Sequence, residues 1–372
     1  MKFSNEAKAA ALALSLMDGI GPVRARKLIA HCGSPEAVFK ESKQSLERIP
    51  GIGSFLVQEI RRSRKLVEAE KQLSEADNKG WAVHYFEDKA YPRRMRHCED
   101  APVVLFQKGH TPLNAKRCIS IVGTRNMTDY GRDFLHQFLE EAQSLNLLIF
   151  SGLAYGVDAC AHRKALDNGI VNCAVLAHGL DRIYPALHRK LATEIVEAGG
   201  SWLSEFPTGT NPDRENFPKR NRIIAAMSDA VIVVEAARKG GALITAEFAN
   251  QYNRDVFALP GRIHDPHSEG CNLLIKSHRA YLLEGARDLS YIMRWEAISP
   301  MAQKKQLELF ENLSPDERLL IDALVPEKES KSLDWLLGKC GITGAQCLRI
   351  LMSLELKGLL ETVPGPRYRL KS

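Results

Sequence analysis

From about Ala115 onward, short apolar runs alternate with stretches of helical period, and this rhythm limits the possible folds more than any other feature of the chain. The runs are CISIV (118–122), LLIF (147–150), CAVLA (173–177), SWLSE (201–205), AVIVVEA (230–236) and DVFALP (255–260). Helical patterns lie between them at about 129–145, 156–168, 188–198, 219–228 and 243–252. Strands that are apolar on both faces belong to a sheet covered on both sides. The spacing therefore predicts an α/β domain over 115–295, built on a doubly wound, mostly parallel, Rossmann-like sheet.

The flanks have a different texture. Residues 1–75 read as helical and carry two similar turns, DGIGP (18–22) and IPGIG (49–53), each opening a helix. That is a helix-hairpin-helix pattern, which serves nucleic-acid phosphates through its glycine amides and serves protein contacts as well. Arg24, Arg26 and Lys27 follow the first turn, and Arg61, Arg62, Arg64 and Lys65 follow the second. Residues 76–114 read as a connector with two short strands, Ala82–Phe86 and Pro102–Phe106, and 296–310 as a linker. Over 311–372, a helix opened by Ser314 and Glu317, two further helices (333–339 and 345–357) and a β-hairpin make a winged helix. Its third helix carries Arg349 and its wing Arg367 and Arg369, too few cations to choose between DNA and a protein partner.

Composition removes several classes. No apolar run reaches 18 residues, so no membrane span is expected. The N-terminal stretch, with Glu6 and Lys8, reads as an amphipathic helix and not a secretory signal. Eight cysteines without a Cys-x-x-Cys pair point to reduced thiols, a cytoplasmic protein and no zinc site. No cofactor or metal is expected. A net charge of +6 permits an anionic partner without demanding one.

Candidate chemistry gathers at the predicted strand C-termini, where open α/β sheets bind ligands. Gly123-Thr124-Arg125 follows the first strand, Ser151-Gly152 the second, and Gly240-Gly241-Ala242-Leu243-Ile244-Thr245 the fifth. Such loops present clustered amides to phosphate oxygens, and Arg125 adds a donor fork. Neither G-x-G-x-x-G nor G-x-x-x-x-G-K-[ST] is present, so dinucleotide and Walker-type ATP sites are not expected. Asn211–Ile224 places Phe217 beside Lys219, Arg220, Asn221 and Arg222, with Arg214 just upstream. An aromatic ring among cations suits single-stranded nucleic acid, the ring stacking on bases and the cations following phosphates. Cations near a helix N-terminus oppose its dipole, so four of them imply a bound anion. Asp158 and His162, and Asp181 and His188, lack a third convergent ligand and read as a helix cap and surface imidazoles.

With these segments in place, the chain resembles the DNA-processing protein A (Smf) family. The resemblance runs through SIVGTR (120–125), SGLAYGVDACAH (151–162), AVLAHGLDRIYP (174–185), FPKRNRIIAAMS (217–228), GGALITAEFA (240–249) and VFALPGRI (256–263). It implies an extended Rossmann fold with helix-hairpin-helix and winged-helix flanks, acting as a dimer. It further implies a non-enzymatic protein that binds single-stranded DNA, protects incoming strands in natural transformation and loads the RecA recombinase onto them. By motif, Arg125 would clamp phosphate. Phe217, Lys219, Arg220, Asn221 and Arg222 would form the strand pocket, with Gly123, Thr124, Ser151, Gly152, Gly240, Gly241, Leu243 and Thr245 lining it. Two positions depart from the family pattern: His278-Arg279 stands where Gly-Ala is usual, and Gly240-Gly241 where Gly-Ser is common. The alternative is a nucleotide or N-riboside hydrolase. Its Gly-Gly-x-x-x-Thr-x-Glu segment looks like the phosphate loop of cytokinin-activating phosphoribohydrolases, and Glu235 with Glu247 would supply the carboxylate pair.

Overall fold

A computed structural model describes residues 4–62, 64–295, 313–324, 330–357, 359–363, 365 and 367–370. The chain divides into two compact units, Met1–Ala297 and Ile298–Ser372. The linker expected over 296–310 lies outside the described residues.

The first unit opens with six helices, α1 (Asn5–Ser15), α2 (Pro22–Cys32), α3 (Pro35–Lys40), α4 (Lys43–Glu47), α5 (Ser54–Arg62) and α6 (Lys65–Asn78). Helix α1 is not the amphipathic helix its charges suggest. Ala7 and the run Ala9–Leu14 are all buried, because α3, α6 and the start of the sheet surround it. Two hairpin turns lead into α2 and α5. Gly19 and Gly51 hold φ of 80° and 86°, which L side chains avoid. Two cations of the first hairpin are bonded to carbonyls of the protein. Arg24 donates to the Gly19 carbonyl at 2.6 Å. Arg26 donates to the Cys98 carbonyl at 2.9 Å and lies over the Phe86 ring.

The segment expected as a connector enters the sheet itself. Strands β1 (Ala82–Tyr85) and β2 (Val104–Gly109) flank a short helix, α7 (Arg93–Arg96). They pair antiparallel with each other, and β2 pairs antiparallel with β6 (Ser201–Ser204). The remaining strands are β3 (Cys118–Val122), β4 (Leu148–Ser151), β5 (Asn172–Val175), β7 (Ala230–Val233), β8 (Asp255–Ala258) and β9 (Tyr281–Leu282). Among the described residues the order is β1-β2-β6-β5-β4-β3-β7-β8-β9, and every pairing from β6 to β9 is parallel. The sheet runs one way from β3 to β6 and the other way from β3 to β9, so the strand order reverses between β3 and β7. Ligands of open sheets bind beside such a reversal.

Helices α8 (Asp129–Glu141), α9 (Val157–Asp167), α10 (Arg189–Glu197), α11 (Asn216–Met227), α12 (Gly241–Gln251), α13 (Glu269–Lys276) and α14 (Ala286–Ile292) cover the sheet. Alternation along β3 shows two-sided burial. Ile119 and Ile121 pack with α8, while Cys118 and Val122 pack into the core that includes α11 and α12. All eight cysteines are free. Helix α13 ends with His278 at φ 55°. The His278 amide donates to the Ile275 carbonyl and the Arg279 amide to that of Leu274, which is a Schellman cap. Histidine thus keeps the left-handed turn for which glycine is usual.

The second unit contains α15 (Pro315–Leu324), β10 (Lys331–Ser332), α16 (Leu333–Cys340), α17 (Gly344–Leu356), β11 (Leu360–Val363) and β12 (Arg367–Leu370), with strand order β10-β12-β11. Ser314 and Glu317 form a reciprocal capping box: each side chain accepts from the other's amide, at 3.2 and 2.8 Å. The outer face of α17 exposes Leu348, Met352 and Leu356 at four-residue spacing, not a row of cations. In the wing, Arg367 is bonded to Ser330 and Arg369 is paired with Glu361.

Burial pushes the Glu317 carboxyl up. Hydrogen bonds from Lys357, the Ser314 amide and Ser353 outweigh it and hold the group at about 2. A depressed carboxyl stabilises the fold above its unfolded value of about 4.3, and that contribution disappears as pH falls toward 2. The protection of residues 315–324, exchange taken relative to the intrinsic rate at each pH, should fall as pH drops across that window, and Glu317→Gln should abolish this pH dependence while lowering protection at neutral pH. Wild-type protection that is flat with pH would refute the assignment.

Candidate nucleic-acid interface

The loops leaving β3, β4, β5 and β7 converge with the start of α11 around a cleft of about 690 Å³. Its lining includes Gly123, Thr124, Arg125, Phe217, Arg220, Asn221, Gly240, Gly241 and Thr245, all expected from the sequence, together with Ala154, Asp158, Tyr184, Arg214 and Ile244. Three guanidiniums therefore face one carboxylate. Arg125 and Arg214 are exposed, whereas Arg220 is only 4% accessible.

The Arg125 loop is held from behind. The Thr124 amide donates to the Glu235 carbonyl at 2.7 Å. The buried Glu235 carboxylate accepts from the Thr128 amide at 2.9 Å and from its hydroxyl. Thr128 in turn caps α8, and Gly131 is needed where a Cβ would strike that carboxylate. On the far side of the cleft, α12 starts at Gly241 behind Gly240, which offers no side-chain cap, so its positive end opens on the cleft. An added Cβ at Gly241 would meet nothing within 4 Å, consistent with a face turned to the open cleft.

Arg220 forms the floor. Its Nη1 donates to the Gly152 carbonyl and, at 2.6 Å, to the Val175 carbonyl, tying the ends of β4 and β5 together. Asp158 lies behind it, accepting from the Gly152 and Ala154 amides at 3.2 and 3.3 Å. Burial pulls the Arg220 guanidinium down to about 10, with Asp158 opposing and Arg125 adding to the fall, so it remains charged at neutral pH. Burial pushes the Asp158 carboxyl up against Arg220 and its amide donors. Phe217 packs over this floor, with the Arg125 and Arg220 guanidinium carbons 5.5 and 5.9 Å from its ring centre.

Several expected residues do not line the cleft. Arg222 is 8% accessible and turned away, bonded to Glu205 and to the Asp100 carbonyl. Lys219 is exposed on the helix outside the lining. Ser151 is fully buried, its hydroxyl donating to the Ile121 carbonyl at 2.6 Å. Gly152 is the seat of Arg220, and any Cβ there would overlap the guanidinium. Leu243 packs toward the core, and its amide donates to the Gly240 carbonyl at 3.1 Å. Of the four cations near the start of α11, Arg222 is paired with Glu205 and Arg220 is bonded to two carbonyls within the protein, so the cluster as a whole does not imply a bound anion.

The carboxylate pair considered for hydrolysis does not form. Glu235 is enclosed behind the Arg125 loop, while Glu247 is exposed and paired with Arg279. His162 is not a surface imidazole. It is fully buried, hydrogen-bonded through Nδ1 to the Asn172 Oδ1 at 2.7 Å and pulled down to about 4 by burial. His188 is buried as well, bonded to the Leu153 carbonyl at 2.8 Å. Among the described residues no group of three or more His, Cys, Asp or Glu could hold a metal ion.

Residues 82–294 match the family described as DNA recombination-mediator protein A. The chain belongs to the DNA-processing protein A (DprA/Smf) family. The flanking modules of this DprA/Smf protein match too, residues 11–65 a SAM-like helix-hairpin-helix tandem and 307–366 the DprA winged helix domain. The protein Smf of Synechocystis is 32% identical over 398 residues, covering 98% of this chain and 99% of its own. The solved DNA processing protein A of Streptococcus pneumoniae is 31% identical, with a TM-score of 0.62 over 80% of this chain and 99% of its own. That of Helicobacter pylori, whose structure was described for a unique single-stranded DNA binding mode, is 29% identical, with a TM-score of 0.52 over 58% of this chain and 97% of its own.

Proposed function

We propose that this protein holds single-stranded DNA by its phosphates in the cleft above β3, β4 and β7. It protects incoming strands and delivers them to a RecA-type recombinase during natural transformation, acting as a cytoplasmic homodimer without a catalytic step. One observation carries the reading: Arg125, Arg214 and Arg220 meet the uncapped start of α12 around Phe217, with a single carboxylate among them. Several cations and a helix start gathered around an aromatic ring along one open cleft fit a nucleic-acid strand. The single-stranded DNA binding mode described for the Helicobacter pylori relative supports the ligand, and the recombination-mediator description of the family supports the recombinase. A hydrolase reading has no comparable support, because Glu235 and Glu247 are committed to different neighbours.

Fluorescence polarisation with single- and double-stranded oligonucleotides at two salt concentrations tests the proposal. Single strands should bind more tightly, with affinity falling steeply as salt rises. Arg125→Ala should lower the slope of log affinity against log salt by about 0.7, the value of one phosphate on a single strand. Thermal stability should be nearly unchanged, because Arg125 is exposed. An unchanged slope would remove Arg125 from the phosphate path, and base release from nucleoside monophosphates that Glu247→Gln abolishes would favour the hydrolase.

A further inference from the structure

Phe217 is the aromatic that the sequence offers for base stacking, but its ring is already surrounded. Two guanidiniums lie over it, and Tyr184 meets it edge-on, with centroids 6.0 Å apart at an interplanar angle of 62°. Rings that close and that inclined leave no slot for a base between them. Residue Tyr184, by contrast, is 45% accessible and borders the cleft, reached from the loop that follows β5.

That loop is firmly held. The Tyr184 amide donates to His178 Nε2 at 3.3 Å, and His178 Nδ1 is 2.9 Å from the Gly179 carbonyl. A carbonyl only accepts, so Nδ1 carries the proton and Nε2 is free to receive the Tyr184 amide. On the next turn, Asp181 accepts from the Gly209 amide at 3.0 Å and pairs with Arg182, which also bonds Asn211. A ring on a fixed loop loses little freedom when a ligand covers it, so more of the stacking energy appears as affinity.

We propose that Tyr184 is the base-stacking surface of this cleft, and that Phe217 is a buttress keeping Tyr184 and the Arg125 guanidinium in register. The proposal rests on the single-strand reading above and assigns the nucleobase side of it. Phosphates lie along Arg125, Arg214 and the start of α12, while one base rests on the open face of Tyr184. Every base has a π face, so this contact adds affinity without sequence preference.

The test uses the full chain and two ligands of equal length, an oligothymidylate and an oligomer of abasic sugar-phosphate units, each with Tyr184→Ala and Tyr184→Phe. Wild-type protein should bind the oligothymidylate about tenfold more tightly than the abasic strand, as expected for one stacked base. Tyr184→Ala should remove that difference and leave abasic binding and its salt slope intact, while Tyr184→Phe should retain it. A 2-aminopurine base in the strand should be quenched by wild type and Tyr184→Phe but not by Tyr184→Ala. The assignment falls if Tyr184→Ala binds oligothymidylate like wild type, if it loses both ligands equally, or if Tyr184→Phe behaves like Tyr184→Ala. If wild type binds neither strand in a salt-dependent way, the single-strand reading itself falls. Equal wild-type affinity for the two strands overturns the stacking role alone.

Discussion

Arg222→Ala should cost the protein about 3–5 kcal/mol of stability and leave the salt dependence of DNA binding unchanged. The guanidinium is buried between the Glu205 carboxylate and the Asp100 carbonyl, so it joins α11 to the loop after β6 and to the segment before β2. Removing it strands a buried carboxylate, which burial already pushes up against the pull of Arg222 and Lys219. An uncompensated buried charge is costly, whereas replacing both partners with apolar side chains of similar size is often neutral. Arg222→Met combined with Glu205→Leu should therefore recover most of what Arg222→Ala loses, as read from urea unfolding midpoints. Arg125→Ala is the opposite case, with a lower salt slope and little change in stability. If Arg222→Ala unfolded like wild type and lowered the salt slope, Arg222 would belong in the cleft, as its place in the FPKRNR segment suggests.

That contrast shows which parts of the molecule were legible in the sequence. Periodicity located the sheet because burial on both faces leaves a continuous apolar run: β3, β6, β7 and β8 fall inside the predicted segments, while β4 runs one residue past its segment to Ser151 and β5 starts one residue before its own at Asn172. Helix α11 starts at Asn216, three residues before its predicted start, because Pro218 is tolerated in a first turn that makes no use of its missing donor. The strands β1 and β2 were legible as strands but not as members of the sheet, since pairing with β6 depends on partners about a hundred residues away. The glycine loops were legible as a cleft because strand C-termini meet at one edge. Which cation faces the ligand was not. Arg220 and Arg222 are the same residue type two positions apart, and what separates them is Gly152 and Val175 for one, Glu205 and Asp100 for the other. The sequence signal for Tyr184 is an aromatic in the loop leaving β5 on the same sheet edge.

The largest effect on the cleft itself should come from Arg220, and two dissimilar substitutions should produce it. Arg220→Met removes the Nη1 donor that ties Gly152 to Val175, and Gly152→Ala leaves the guanidinium but fills its seat. Each should lower stability by about 3–5 kcal/mol and abolish tight strand binding, because the floor under Phe217 and the ends of β4 and β5 shift together. Arg220→Lys should fall short of full rescue, since the shorter side chain ends its ammonium before the Nη1 position from which both carbonyls are reached. The two variants separate by pH. In Arg220→Met, Asp158 loses the strongest influence that holds its carboxyl down against burial, so its folded-state value rises further above the unfolded one. A raised acid stabilises the fold at low pH and loses that contribution as pH climbs through the folded value. Relative to wild type, Arg220→Met should therefore be less impaired at pH 5 than at pH 8, and adding Asp158→Asn should flatten the difference. Gly152→Ala keeps the cation near Asp158 and should show a weaker pH dependence. Chemical denaturation of the four proteins at both pH values decides the matter, and an Arg220→Met deficit that does not grow with pH would dissociate Asp158 from Arg220.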